Sequence, residues 1–485
     1  METHTPFEGL DRRIQRWVDY EQTVNDRLFD DARFAPIDQR SNTVRSHLRP
    51  ERRTVWDQEV AWMPTDRVRV YGPLDDELQT AFGVERNDGR TPMLLHPQAP
   101  AELRRSTGSN RREVLAGVAA TPTASYRSVV AWQRTATADA VVLKLSLGAI
   151  IGRKRRRLTE RYIAQSIVLS SVLATIPDAD RKRFHLDWFP EPCGVVDSHS
   201  RHGWLLRRLP AFMTEPGSTT LMPVFSLISH QGDRVPLLVR LIRRSTRAPE
   251  DFVIDTLLRA YVNAEAYLLF EQGVQHEGHA QNILVEVDPN ERLTGRLILR
   301  DLSDTSVNIA FRIARNKTLP RFPAGRLPQG TPFSIAGNAG DHHTNFGRSR
   351  ILRGFDTVER YGLWGFVWPI NRTLSRFFDR YDTKLVEQQY LELWQQAAID
   401  YLKVRPLFRA KPRGLATDEA VAYFLRQVDW HALGARPACL PDVAEPLLGE
   451  GRKRRRSGRV YERLSGAWGD LYISSGLPAF FRPAF

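Results

Sequence analysis

Apolar residues fall near helical spacing early in the chain. In "DRRIQRWVDYEQTVNDRLF" they are Ile14, Trp17, Val18, Val24 and Leu28, which predicts an amphipathic helix. "YGPLDDELQTAFG" predicts a shorter helix that starts after Pro73 and stops at Gly83, the residues that suit a helix start and a helix stop. Residues 1–92 therefore read as a mostly helical region. The texture changes at 93. "MLLHP", "SYRSVVAW" and "AVVLKLSL" are rich in apolar and β-branched residues and read as strands, with a turn at "QRTATAD". A helix is expected over 155–176. A third section begins near 246 with "EDFVIDTLLRAYVNAEAYLLFEQ", the most regular helical pattern in the chain. It leads into "HEGHAQ", a strand "NILVEV", a turn "DPNERLTG" and a strand "RLILRDL". Residues 303–350 read as a Pro- and Gly-rich loop region. "KLVEQQYLELWQQAAIDYLKV" and "TDEAVAYFLRQV" return to helical spacing. Three regions result: 1–92, 93–245 and 246–485.

Bulk properties narrow the class. A chain of 485 residues exceeds one ordinary core and calls for two or three domains. Hydrophobic residues at 42% with charged residues at 26% are globular proportions, which sets disorder aside for most of the chain. The net charge of +14 points to an anionic partner: nucleic acid, a membrane face, or a small polyanion such as a nucleotide. Only eight of the 70 basic residues are lysine, so arginine usage also reflects base composition. Cys193 and Cys439 form no pair motif, which argues against a disulfide framework or a cysteine zinc site. The first residues lack an apolar signal core and no run approaches a membrane span. The expected setting is cytoplasmic and membrane-free.

Three constellations could carry chemistry. The first is the pair "SYRSVVAW" and "AVVLKLSL". A hairpin centred at residues 136 and 137 sets Arg127 opposite Ser146 and Val129 opposite Lys144. Ser125, Arg127, Lys144 and Ser146 then share one sheet face. Two cations so placed suit a polyphosphate; the same pattern also fits a solvated sheet face. The second is "GRKRRRLTERYI", with Arg153, Arg155, Arg156 and Arg157 at an expected helix start. Cations are unfavourable there, so they imply either a bound anion or a surface basic cluster. The third is "HEGHAQN" with the "RD" that ends the second strand. Symmetric pairing places Asn282 opposite Asp301, with His279 and Gln281 at the same sheet end. A carboxylate with amide oxygens suits Mg²⁺, and His279 could donate to a phosphate, with Glu277 orienting it; a polar corner before a strand is the simpler alternative.

Taken in order, "PTASYRSV", "LKLSL", "HEGHAQN" and "LRD" resemble the motifs of the IucA/IucC-type, NRPS-independent siderophore synthetases. The resemblance spans about residues 93–302. It implies an α+β fold built as a three-part cradle of thumb, fingers and palm, with antiparallel sheets, a helical C-terminal lobe and frequent homodimerisation. It implies ATP-dependent adenylation of a carboxylic acid, then attack by an amine, hydroxylamine or alcohol. By position, Thr123, Ser125, Arg127, Lys144, Arg156, His279, Gln281 and Asn282 would hold ATP. Of these, Arg127, Lys144, Arg156 and His279 would stabilise charge in transfer. Glu277, Asn282 and Asp301 would bind Mg²⁺, and His96 would face substrate. The chain departs from the pattern after "LKLSL". Ile150 and Gly152 stand where the family has an arginine and a threonine, which disfavours citrate as the acid. The N-terminal region is short for the family. His276 lies outside the pattern and reads as incidental. Two other functions compete: a degenerate member that binds nucleotide without catalysis, and a nucleic-acid binder resting on charge alone, including "GRKRRRSGR" at 451–459.

Overall fold

The computed structural model describes residues 7–22, 43–84, 89–108, 112–135, 140–151, 154–215, 217–229, 235–307, 317 and 356–402. Two compact units emerge, each assembled from discontinuous chain: Met1–Ala174, Asp187–Arg244 and Ile283–Ser303 in the first, and Thr175–Leu186, Ser245–Asn282 and Asp304–Phe485 in the second. The architecture is α+β, and every strand register described is antiparallel.

In chain order the strands begin with β1 Trp56–Pro64, β2 Val68–Tyr71, β3 Arg90–Leu95, β4 Arg112–Pro122, β5 Ser128–Gln133 and β6 Val141–Leu145. They continue with β7 Ile150–Ile151, β8 Lys154–Arg155, β9 Leu186–Trp188, β10 Cys193–Asp197, β11 Gly203–Arg208 and β12 Thr220–Pro223. The last are β13 Val274–Gln275, β14 Ile283–Val287, β15 Leu293–Leu299 and β16 Ser306–Val307. An eight-stranded sheet runs β2-β10-β11-β6-β5-β4-β1-β3, and a four-stranded sheet runs β12-β14-β15-β9.

The central strands are apolar on both faces because both faces are covered. On one face Val129, Ala131, Leu143 and Leu145 join Leu74, Leu78 and Phe82 of helix α2, residues Leu74–Phe82. On the other, Val130, Trp132 and Val142 meet Ile14, Trp17 and Val18, with Leu284 and Ile298 of the smaller sheet. Ile14, Trp17 and Val18 belong to helix α1, Arg12–Gln22, as the spacing predicts; Val24 and Leu28 lie outside the described residues. Helix α2 ends on Gly83 in the left-handed region (φ 62), the conformation a glycine adopts most cheaply. Short helix α3, Ala101–Thr107, and helix α4, Glu160–Leu173, complete what is used below.

Several expectations are corrected. The "mostly helical" reading of 1–92 missed β1 and β2, and β4 also went unread. The 155–176 helix begins only at Glu160, with Thr159 at its N-cap position. Arg155 lies in β8, and Arg156 and Arg157 are extended chain before the helix, so the basic run does not sit on a helix start; Arg153 and Gly152 lie outside the described residues. The β5–β6 register is one residue off the symmetric hairpin: Ser128, not Val129, faces Lys144. The β14–β15 register differs similarly, with Ile283 opposite Leu299, so Asn282 and Asp301 are not partners in it. The ladder is also interrupted: between pairs Val285–Leu297 and Val287–Leu293, β14 has Glu286 alone while β15 has Thr294, Gly295 and Arg296.

In the second unit, Pro249–Val253, Ile254–Leu258 and Arg259–Phe270 run on as one long helical stretch with a π-helical middle. Thr383–Leu402 packs on it, and β13 pairs with β16. The helix expected in "TDEAVAYFLRQV", most of the 303–350 loop, and the basic run at 451–459 lie outside the described residues. Among the described residues no helix is long and apolar enough to cross a membrane.

Candidate active site

Strand alternation decides where the cations go. Lys144 shares a face of β6 with Val142, the face turned to α1 and the smaller sheet. Its neighbour β11 pairs Arg207 with Val142 and Leu205 with Lys144, so Arg207 emerges on the same face. Both are buried. Two cations in an apolar layer demand partners, and these come from elsewhere in the first unit. Asp301, just past β15, accepts from Lys144 Nζ through Oδ1, and from Arg207 Nη2 at 3.3 Å. The Ser303 hydroxyl lies 3.0 Å from Lys144 Nζ and 2.9 Å from Asp301 Oδ1. Glu191, fully buried, accepts from Arg207 Nε at 2.5 Å.

Arg127 adds a third positive charge. It sits in a turn that replaces the start of the strand expected at "SYRSV". Tyr126 N–H donates to Thr123 O at 3.0 Å, Ser128 N–H donates to Ser125 Oγ at 3.1 Å, and Thr123 Oγ1 donates to Ser128 O at 2.9 Å. The small hydroxyl residues of this stretch thus bond the backbone locally and hold a turn. Leu145 N–H then ties β6 to Arg127 O at 2.7 Å. Tyr126 (φ 62) and Asp301 (φ 64) are non-glycine residues in the left-handed region. Such conformations cost about 1–3 kcal/mol and persist where surrounding contacts impose them.

The electrostatics follow from the count: Lys144, Arg127 and Arg207 against Asp301 and Glu191. Burial lowers the Lys144 pKa to about 8; Asp301 pulls it up, while Arg127 and Arg207 push it further down. Burial alone would raise Asp301, but Lys144, Arg207 and Arg127 together hold its carboxyl well below the usual carboxylate range. The cluster therefore carries one surplus positive charge, and Asp301, whose side chain is 28% exposed, opens towards solvent while Lys144, Arg207 and Glu191 are buried. An anion arriving there would relieve the surplus.

His96 lies under the turn and is fully buried. Its Nδ1 accepts from Gln98 N–H at 2.9 Å, and Trp56 packs edge-on at 5.7 Å. Burial pushes its pKa down to about 3 against a contact with the Tyr126 backbone. It is a neutral buttress in this setting. Arg156 uses its backbone to pair with Ala149 and Leu147, and Ser146 accepts from Leu158 N–H at 2.9 Å, so Ser146 serves the backbone beside the cluster.

The "HEGHAQN" residues belong to the second unit. Glu277 accepts from the Tyr361 hydroxyl. Asn282 Nδ2 donates to Glu277 O at 3.2 Å, and Asn282 N–H to His279 O at 2.8 Å. Gln281 N–H donates to His279 Nδ1 at 3.3 Å, which leaves the neutral ring's proton on Nε2. His276 is not incidental: it is buried, with Nδ1 3.1 Å from buried Glu265 Oε1. The sequence reading also missed Arg207, Glu191 and Ser303. An inward-facing arginine in the apolar strand "GWLLRR" was the available signal.

Residues 32–229 match the IucA / IucC family. Solved structures are similar to the chain in fold. Petrobactin biosynthesis protein AsbB from Bacillus anthracis str. Sterne is 14% identical with a TM-score of 0.61, over 79% of this chain and 68% of that one. The ATP-bound aerobactin synthetase IucA from a hypervirulent Klebsiella pneumoniae pathotype is 17% identical with a TM-score of 0.57, over 79% and 70%. Aerobactin synthetase IucC from the same pathotype is 16% identical with a TM-score of 0.52, over 73% of this chain. The chain spans 63% of the length of that aerobactin synthetase. No curated protein sequence matches it.

Proposed function

We propose that this chain is an ATP-dependent ligase of the IucA/IucC, siderophore-synthetase type. The observation that carries this reading is the buried Lys144–Asp301–Arg207 cluster with Arg127 beside it. It holds one more cation than it can neutralise, and it stands on the strands whose motifs resemble the family's phosphate-gripping segments. The ATP-bound structural neighbour supports a nucleotide as the anion.

In this reading a substrate carboxylate oxygen attacks the α-phosphorus of ATP. The bond to the β-phosphate breaks, and pyrophosphate leaves to give an acyl-adenylate. An amine, hydroxylamine or alcohol then attacks the acyl carbon, AMP departs, and the nucleophile loses its proton. Lys144, Arg127 and Arg207 hold the phosphate charge in a dry site, where fixed cations act more strongly than in water. Asp301 and Ser303 hold the Lys144 ammonium in one position. Thr123 and Ser125 shape the turn that carries Arg127.

Mg²⁺ belongs to the chemistry of a nucleotide, but the donors present do not form a protein cage for it. Among the described residues no group of three His, Cys, Asp or Glu side chains is placed to hold a metal. Asp301 Oδ1 already takes two cations, and Glu277 takes the Tyr361 hydroxyl. No step is assigned to the metal. The roles carried by resemblance for Glu277, His279, Gln281, Asn282 and Arg156 form a separate proposal, as do the thumb, fingers and palm boundaries and a homodimer.

The test is pyrophosphate release with ATP and Mg²⁺ against a panel of carboxylic acids, each with amine, hydroxylamine and alcohol partners. Acid-dependent release is expected. ATP binding without release on any acid would leave a nucleotide-binding protein, and absence of ATP binding would refute the reading.

A further inference from the structure

The site's two halves come from distant chain: the Thr123–Ser128 turn and the Arg300–Ser303 segment. Both meet one carboxylate. Glu21, in the last turn of α1, is fully buried. Its Oε2 accepts from the Ala124 N–H at 3.2 Å, inside the turn. Its Oε1 accepts from Arg300 Nη1, the residue before Asp301, and from Trp17 Nε1 at 3.0 Å. The neighbouring Gln22 Nε2 donates to Thr121 Oγ1 at 2.7 Å and Pro122 O at 3.1 Å, at the entry of the same turn. Helix α1 is anchored independently, with Trp17 against Phe189 at 5.5 Å and Thr220 Oγ1 donating to Arg13 O at 2.7 Å.

We propose that Glu21 is a positioning residue that locks the Arg127-bearing turn and the Asp301 segment to a single helix. The physical logic is preorganisation. Three cations brought together repel one another, so the backbone that carries them must be held before the anion arrives. A carboxylate that accepts from a turn amide and a guanidinium supplies that hold through charge-assisted bonds. The buried Arg300 in turn needs an anion. Both left-handed residues of the site, Tyr126 and Asp301, lie within two residues of a Glu21 contact, so the same carboxylate opposes their relaxation. The proposal rests on the nucleotide reading above for its functional consequence, but its structural content stands apart from it.

The experiment uses the full chain in three forms: parent, Glu21→Gln, and Glu21→Gln with Arg300→Met. The single variant takes the carboxylate charge away from buried Arg300 and is expected to lose thermal stability. The double variant removes both charges and is expected to regain most of it. Amide hydrogen exchange is read on all three below their melting temperatures. Faster exchange in both 123–128 and 300–303, in the single and the double variant alike, is the expected result. Faster exchange confined to α1, or parent-like exchange in the double variant, overturns the proposal. ATP titration is read in parallel: affinity at least tenfold weaker in the double variant despite restored stability is expected. ATP affinity within twofold of the parent in that variant also overturns it. If the parent itself binds no ATP, the nucleotide reading fails, and the exchange pattern still decides whether Glu21 couples the two segments.

Discussion

Replacing Lys144 with methionine separates holding the fold from holding the ligand. The side chain is completely buried, and burial takes its pKa from 10.5 to about 8. That displacement corresponds to roughly 3 kcal/mol spent at neutral pH on keeping the ammonium charged in place. Methionine fills similar volume without that cost. Asp301 loses one cation but keeps Arg207 at 3.3 Å and the Ser303 hydroxyl at 2.9 Å. The gain and the loss oppose each other, so net stability should move by no more than about 2 kcal/mol in either direction. For a protein of this size that is a melting shift of about 2–4 °C or less. Nucleotide affinity should behave differently, because a phosphate loses one of three converging cations in a dry site. A loss of at least thirtyfold is expected, about 2 kcal/mol. Thermal scanning and calorimetric ATP titration on the same preparation read both quantities. ATP affinity within threefold of the parent would refute the assignment of Lys144 to the anion. A melting temperature more than about 5 °C lower would show that the lysine holds the fold instead.

The remaining predictions bear on pH, strain and the second unit. The folded Lys144 pKa lies below its unfolded value, so the unfolded chain binds more protons between pH 8 and 10.5. The Lys144 contribution to stability therefore rises through that window, while ATP affinity should fall above pH 8; calorimetry in two buffers should show proton uptake on ATP binding near pH 8. His96 gives the acid limb: with a folded pKa near 3 against 6.5, its share of stability is lost as pH falls from about 6.5 towards 3. The whole fall amounts to an order of 5 kcal/mol, of which about 3 lies above pH 4.5, and denaturant titrations at pH 7 and pH 4.5 should show that part diminished in His96→Gln. Asp301→Asn keeps a residue tolerant of the left-handed region, whereas Asp301→Ala does not. Alanine should cost about 1 kcal/mol more in chemical denaturation, with ATP binding damaged in both. Finally, a methyl group on Gly278 would stand 2.8 Å from the Tyr261 hydroxyl and closer still to Glu265 Oε1. Gly278→Ala should lower the melting temperature by several degrees, about 1–3 kcal/mol, and an unchanged scan would show that the His276–Glu265 pair yields freely.

The amino-acid sequence by itself determined the parts whose causes are local. Helix α1, helix α2 with its glycine stop, the long stretch from Pro249 to Phe270, and strands β3, β6, β14 and β15 follow from apolar spacing and from proline and glycine. Lys144, Arg127 and Asp301 were visible as candidates because their motifs are short and ordered along the chain. Tertiary structure decided what those residues do. Register was the first such matter: both hairpins pair one residue away from the symmetric arrangement, and a one-residue slip exchanges faces. Burial was the second. Lys144 read as a cation for a phosphate or for a solvated sheet face, and Arg207 was not read at all; the smaller sheet and α1 covering that face make both buried cations with carboxylate partners. Glu21, Glu191 and Arg207 carry no motif of their own. Each matters through a partner between 16 and 279 residues away, a distance that composition and periodicity do not reach and only packing brings to contact.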